Sequence, residues 1–241
     1  MLRQLAFDLP PADGFARADF FVSDANALAL AVVDGWRSWP GGKLLLTGPA
    51  GSGKTHLAHI WAQDAGAILV QGADLADDDL PGLASTGAVV VEDAQTVAGT
   101  PAAEAALFHL HNLLAASGRL LMTAPAPARD WGLGLADLKS RAQAVQIARL
   151  GPPDDALLSA VLVKLFADRQ ITVPPALIAW MLPRMERSIA AARHLVADLD
   201  SHSLALGRPI TRALAAAHLN TFQDDDADGP PLSHSRYIAP P

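Results

Sequence analysis

The sequence predicts an α/β fold: a parallel five-stranded sheet with helices on both faces, followed by a small all-α unit. Three observations predict it. Short apolar runs alternate with helical stretches over roughly the first 150 residues. A glycine-rich loop joins the first apolar run to a long amphipathic stretch. After Gly151-Pro152-Pro153 the strand pattern stops and only helical spacing remains.

Taken in order, residues 1–19 read as an extended arm containing Pro10-Pro11. Residues 24–38 read as a helix, capped by Asp24, with Leu28, Ala31, Val32 and Trp36 as its apolar stripe. Lys43-Leu44-Leu45-Leu46-Thr47 is a short apolar run of the kind a buried parallel strand requires. The helix after the loop places Leu57, Ile60 and Trp61 on one face. Further strands are expected at Ala67–Val70, Ala88–Val91, Arg119–Thr123 and Ala144–Ala148, with the clearest intervening helix at 101–117. Right-handed crossovers through such helices give a parallel sheet. In the second unit, helices are expected at 154–169, 175–182, 187–206 and 211–222, punctuated by Pro174-Pro175, Pro183 and Gly207-Arg208-Pro209. The resulting division is 1–19 arm, 20–150 α/β domain, 151–222 helical domain and 223–241 tail. The tail opens on Asp224-Asp225-Asp226 and its polar, Pro-containing composition reads as disordered.

The loop is Gly48-Pro49-Ala50-Gly51-Ser52-Gly53-Lys54-Thr55, which fits G-x-x-x-x-G-K-[ST]. Glycines let the backbone wrap closely enough for its N–H groups to point at phosphate oxygens. Lys54 is placed to reach the β/γ-phosphates, and the Thr55 hydroxyl to help hold Mg²⁺. His56 follows in the first turn of the helix, whose N-terminal partial positive charge also favours anions. ADP or ATP with Mg²⁺ is therefore the expected ligand.

A second element fits the same chemistry. Val89-Val90-Val91-Glu92-Asp93 is an apolar strand ending in acids, at the strand edge where ligands bind in parallel α/β sheets. Glu92 is expected to bind Mg²⁺, directly or through water, and Asp93 to orient attacking water. The usual first acid of such strands is Asp. The extra methylene of Glu92 moves the carboxylate by about 1.5 Å, so weak intrinsic hydrolysis at most is expected.

Composition bounds the rest. Hydrophobic residues make up 51 % and charged residues 18 % of 241, enough apolar material for a core. There is no cysteine, which removes disulfides and thiolate metal sites and fits a cytoplasmic protein. No apolar run reaches the roughly 18 residues of a membrane span, and Met1 to Gly14 does not read as a signal peptide. The net charge of −7 disfavours general binding to nucleic acid. His56 with His59, and His109 with His111, are pairs without further ligands, so no metal site is expected there. Trp36, Trp39, Trp61, Trp131 and Trp180 read as core or interface residues.

With both phosphate elements placed, the chain resembles the AAA+ ATPases, within them the DnaA initiator group, and there its short, Hda-type regulatory inactivators. The likeness covers about residues 4–220. Phe20-Phe21-Val22-Ser23-Asp24-Ala25-Asn26-Ala27-Leu28-Ala29 is similar to the group's F-V-x-G-x-x-N-x-x-A entry segment, with Ser23 or Asp24 where the group has glycine. Leu120-Leu121-Met122-Thr123-Ala124 sits where the group has sensor I, which implies Thr123 near the γ-phosphate. Asp137-Leu138-Lys139-Ser140-Arg141 resembles its L-x-S-R segment. That makes Arg141 the implied arginine finger, acting in trans on a neighbour's nucleotide, an effect worth about 10³–10⁵ in rate. Arg187-Ser188-Ile189 resembles sensor II, with Arg193 as a rival, and Gly207-Arg208-Pro209-Ile210-Thr211 resembles the segment before the last lid helix.

Gln4-Leu5-Ala6-Phe7-Asp8-Leu9 resembles the peptide that binds the replicative sliding clamp (the polymerase β subunit). Leu5, Phe7 and Leu9 would be apolar anchors, and the Gln4 amide a hydrogen-bonding group. The likeness implies the clamp and the DnaA initiator as partners and leaves self-association through the AAA+ faces open. The sequence does not continue into the helix-turn-helix domain of a full initiator, so no direct sequence-specific DNA binding is expected, and no membrane partner. The resemblance implies negative regulation of replication initiation. The rival readings are a helicase loader of the same superfamily, a small-molecule P-loop kinase and a truncated initiator.

Overall fold

The computed structural model describes residues 15–115 and 117–225, without side-chain placement for 220–225. Its first part runs α1 (Ala27–Asp34), β1 (Lys43–Thr47), α2 (Lys54–Ala65), β2 (Ile68–Gln71), α3 (Leu80–Ser85), β3 (Ala88–Glu92), α4 (Pro101–Leu113), β4 (Arg119–Ala124), α5 (Ala136–Ala144) and β5 (Gln146–Arg149). The second part is α6 (Asp155–Asp168), α7 (Pro175–Met181), α8 (Ile189–Leu206) and α9 (Arg212–Asp225). The strands form one parallel sheet in the order β2-β3-β4-β1-β5. The predicted fold class is therefore the observed one.

Side chains alternate across the central strands and build a core on each face. Leu45, Val89, Val91, Leu120 and Met122 face Leu107 and Leu110 of α4 and Leu138 and Ala142 of α5. Leu44, Leu46, Val90 and Leu121 face Leu30 and Val33 of α1 and Leu57 and Trp61 of α2. Strands buried on both faces explain why β1 and β3 read as unbroken apolar runs. A third core lies among the later helices, with Leu162, Phe166, Met181, Val196, Leu199 and Ala215.

Several expected boundaries move. The helix expected over 24–38 is only Ala27–Asp34, ending at Gly35 before a 3-10 turn at Trp36–Ser38. Its buried face is Ala29, Leu30 and Val33, whereas Leu28 is 77 % exposed. Nearly every position of Ala27–Val33 is apolar, so spacing alone did not select a face. Asp24 does not cap it; instead the Asn26 side chain accepts the Ser23 N–H and donates to the Phe21 carbonyl. The fifth strand begins at Gln146, since α5 continues through Ala144. The helix expected over 101–117 stops at Leu113. The last helix extends through Asp224 and Asp225, two of the acids assigned to the tail. In the expected arm, Arg17–Asp19 is a 3-10 turn, and Arg17 pairs with Asp34 of α1 at 2.6 Å. Trp39, Trp61 and Trp131 are buried, as expected of core residues. Among the described residues no helix is long and apolar enough to cross a membrane.

Candidate nucleotide site

The sheet order puts β1 inside, between β4 and β5, and the chain leaves its C-terminal end through the glycine loop. Gly51 and Gly53 both adopt left-handed backbone, φ 67° and 96°, which a side chain would strain. Gly48 is held by packing: a Cβ there would stand 2.7 Å from Ser52 Oγ and 2.8 Å from the Leu150 carbonyl. Pro49 and Ala50 form the exposed crest. Lys54 opens α2, and its Nζ donates to the Gly48 and Pro49 carbonyls, each at 2.9 Å. Burial lowers the Lys54 pKa, while Asp93 and Glu92 counter that shift through space. The loop, its lysine and the two acids are thus together. Thr55 stands exposed beside them in sequence, one residue into α2.

Glu92 closes β3 and is 7 % exposed. Its Oε1 is buried without a hydrogen-bond partner among the described residues, as is Ser52 Oγ in the loop. A buried carboxylate oxygen left unpaired calls for a partner. A hard divalent cation, or a water on it, supplies one through oxygen ligation. The donor set of Glu92 and Thr55 therefore fits Mg²⁺ carried with a nucleotide. Asp93 turns out of the strand in left-handed backbone at φ 48°, and its side chain is exposed. Its N–H donates to Thr123 Oγ1 at 3.0 Å, so the buried Thr123 of β4 fixes the turn after β3.

The second group of helices reaches the loop directly. The Ile189 N–H donates to the Gly51 carbonyl at 2.9 Å, and Ser188 Cβ occupies the space a Gly51 side chain would need. Ser188 also caps α8 by accepting the Ala191 N–H. Arg187, one residue earlier, points elsewhere: it pairs with Asp155 at 2.7 Å and donates to the Pro153 carbonyl at 3.2 Å. Arg193 lies over the Phe15 ring.

Besides Arg187, two predicted residues have side chains directed away from the loop. His56 is buried, with Nε2 3.2 Å from the Ala16 carbonyl and edge contacts to Phe15 and Phe20, so it faces the segment before α1. Arg141 lies in the last turn of α5, over the Phe108 ring at 5.3 Å. Its charge acts on Lys43, which opens β1. The loop follows the other end of that strand, about 17 Å away for five residues. Gln4, Leu5, Phe7 and Leu9 lie outside the described residues. Among the described residues no cluster of His, Cys, Asp or Glu could hold a metal by itself.

Sequence reasoning brought the segment Arg187-Ser188-Ile189 to the site for its arginine, not for Ser188, and it missed Asp155 and Glu104. The buried Glu104 carboxylate accepts N–H groups from Gly99, Gly134 and Leu135. Ser188 had a local signal, a serine before a helical run. Asp155 and Glu104 had none, because Arg187 lies 32 residues from Asp155, and Gly134 and Leu135 lie 30 and 31 residues from Glu104.

No family model matches the chain. Its structure is similar to domain III of the replication initiation protein DnaA from Thermotoga maritima, at a TM-score of 0.76 and 18 % identity, over 87 % of this chain and 97 % of that one. It is also similar to AMPPCP-bound DnaA from Aquifex aeolicus (TM-score 0.69, 15 % identity, 88 % of this chain and 70 % of that one). A RuvB variant from Thermotoga maritima aligns at 0.62 with 18 % identity, over 84 % and 69 %. These likenesses show the fold: that of an AAA+ P-loop NTPase, in the form of the initiator's domain III.

Proposed function

We propose that this chain is a nucleotide-binding AAA+ regulator of replication initiation of the Hda type. It would bind the sliding clamp and promote hydrolysis of DnaA-bound ATP. The observation that carries the reading is the loop Gly48–Thr55 joined through the Gly51 carbonyl to the start of α8, within the architecture of an initiator's domain III. Nucleotide, ADP or ATP, sits between the α/β part and the later helices. Loop N–H groups and Lys54 hold the phosphates, and Arg187 leaves Asp155 to reach them from the lid. Thr55 and Glu92 hold Mg²⁺, which neutralises phosphate charge. Asp93, fixed by Thr123, orients water. His56 supports α2 from behind rather than touching the ligand.

Arg141 works on another molecule. Its distance from the chain's own loop suits a group that completes a neighbour's site. Gln4, Leu5, Phe7 and Leu9 tether the protein to a clamp on DNA, which raises its concentration near DnaA. The product is initiator in the ADP form.

The test is ATP hydrolysis by cognate DnaA with clamp loaded on DNA, with and without this protein. Stimulation lost in Arg141→Ala and in a deletion of residues 1–9 is the expected result. No stimulation, with nucleotide and clamp binding intact, overturns the inactivator reading and favours a helicase loader.

A further inference from the structure

One face of α4 governs both the start of α5 and the arginine near its end. Glu104 is 3 % exposed and its carboxylate is spent entirely on backbone. Oε2 accepts the Leu135 N–H, and the Gly134 and Gly99 N–H groups complete the set, at distances between 2.6 and 3.1 Å. Leu135 is the residue from which α5 starts. A buried carboxylate at a helix N-terminus gains from the helix dipole as well as from these bonds. They hold its pKa below the ordinary carboxylate value, with the Leu135 bond the largest cause.

One helical turn along α4, Phe108 carries the other contact. Residues four apart share a face, and the Phe108 ring lies beneath the Arg141 guanidinium at 5.3 Å. Leu138 and Ala142 are buried against the sheet and fix how α5 is rotated. Arg141 forms no ion pair among the described residues, although the chain is acidic overall. An arginine held on a ring keeps its N–H fork open to an incoming anion, where a carboxylate partner would occupy it.

We propose that Glu104 and Phe108 are positioning residues for Arg141: the carboxylate sets where α5 begins, the ring carries the guanidinium, and α5 presents a preorganised cation to the phosphates of a partner's bound nucleoside triphosphate. The last clause rests on the trans-acting reading above; the positioning itself does not.

Two measurements separate them. The first is NMR of the Arg141 Nε–H group in the full chain. Phe108→Ala is expected to remove a ring-current shift and lower the group's order parameter, and Phe108→Trp to restore order. Glu104→Gln, which turns an amide NH₂ toward N–H donors, is expected to speed exchange of the Gly134 and Leu135 amides and loosen Arg141. An unchanged Arg141 signal in Phe108→Ala overturns the proposal, whether or not the Glu104 variant folds. The second is DnaA ATP hydrolysis with clamp on DNA. Phe108→Ala is expected to lower the maximal stimulated rate about three- to tenfold without changing the half-saturating concentration or the chain's own nucleotide affinity. Added to Arg141→Ala, it is expected to cost nothing more; a further loss overturns positioning through Arg141. If wild type does not stimulate at all, the trans-acting reading fails, and the NMR result still decides whether Glu104 and Phe108 hold Arg141.

Discussion

Thr123 Oγ1 accepts the Asp93 N–H at 3.0 Å, across thirty residues of chain. The bond ties the end of β4 to the left-handed turn that follows β3. Thr123→Val keeps shape and removes the acceptor. It leaves a backbone donor unpaired, a loss of about 1–3 kcal/mol. Urea denaturation is expected to show that loss, and Thr123→Ser to recover most of it. A Val variant as stable as wild type would refute the link.

Lys54 Nζ rests on the Gly48 and Pro49 carbonyls, so it is already folded over the loop where phosphates are proposed to lie. Lys54→Ala is expected to weaken ADP binding about 10- to 100-fold, the equivalent of one charge-assisted hydrogen bond. Calorimetric titration reads this, with circular dichroism to check that the fold is kept. Equal affinity would remove Lys54 from the site.

Asp155 competes for Arg187 at 2.7 Å. The pair is exposed, and such pairs contribute at most about 1 kcal/mol. Asp155→Asn is therefore expected to leave the melting temperature nearly unchanged while tightening nucleotide binding about two- to fivefold. Arg187→Ala should weaken it. If both variants bind like wild type, Arg187 does not sense nucleotide.

His111 lies on α4 with its Nδ1 buried and without a hydrogen-bond partner among the described residues. Burial first, then the charges of Lys43 and Arg141, push its pKa down from 6.5 to about 4. The folded protein thus resists a proton that the unfolded chain accepts. Stability is complete above about pH 6.5 and falls as the pH drops toward 4, by no more than about 3 kcal/mol. His111→Gln is expected to flatten that limb of the stability profile. A neutral-to-acid titration of the His111 ring near pH 6.5 would contradict the assignment.

Much of this was legible in local sequence. The loop declared itself because phosphate wrapping needs small residues at fixed offsets, and Gly51 and Gly53 do take left-handed backbone. The strands were readable because burial on both faces demands unbroken apolar runs. What stayed hidden depended on distant partners. Ala27–Val33 is too uniformly apolar to reveal which side meets the sheet. Glu104 looks like any helical acid until the chain returns at Gly134 and Leu135. Arg187 and Asp155 lie 32 positions apart, one before α8 and the other at the start of α6, and no local pattern announces their pairing.

The Ile189 N–H on the Gly51 carbonyl also makes α8 a mechanical arm with its pivot on the loop. The helix has 18 residues, a length of about 27 Å. A tilt of about 10° at the pivot swings its far end by about 5 Å. Leu195, Val196 and Leu199 bind α8 to the other late helices, so a displacement of that single carbonyl would be expected to carry the whole helical unit, with the largest travel at Leu206.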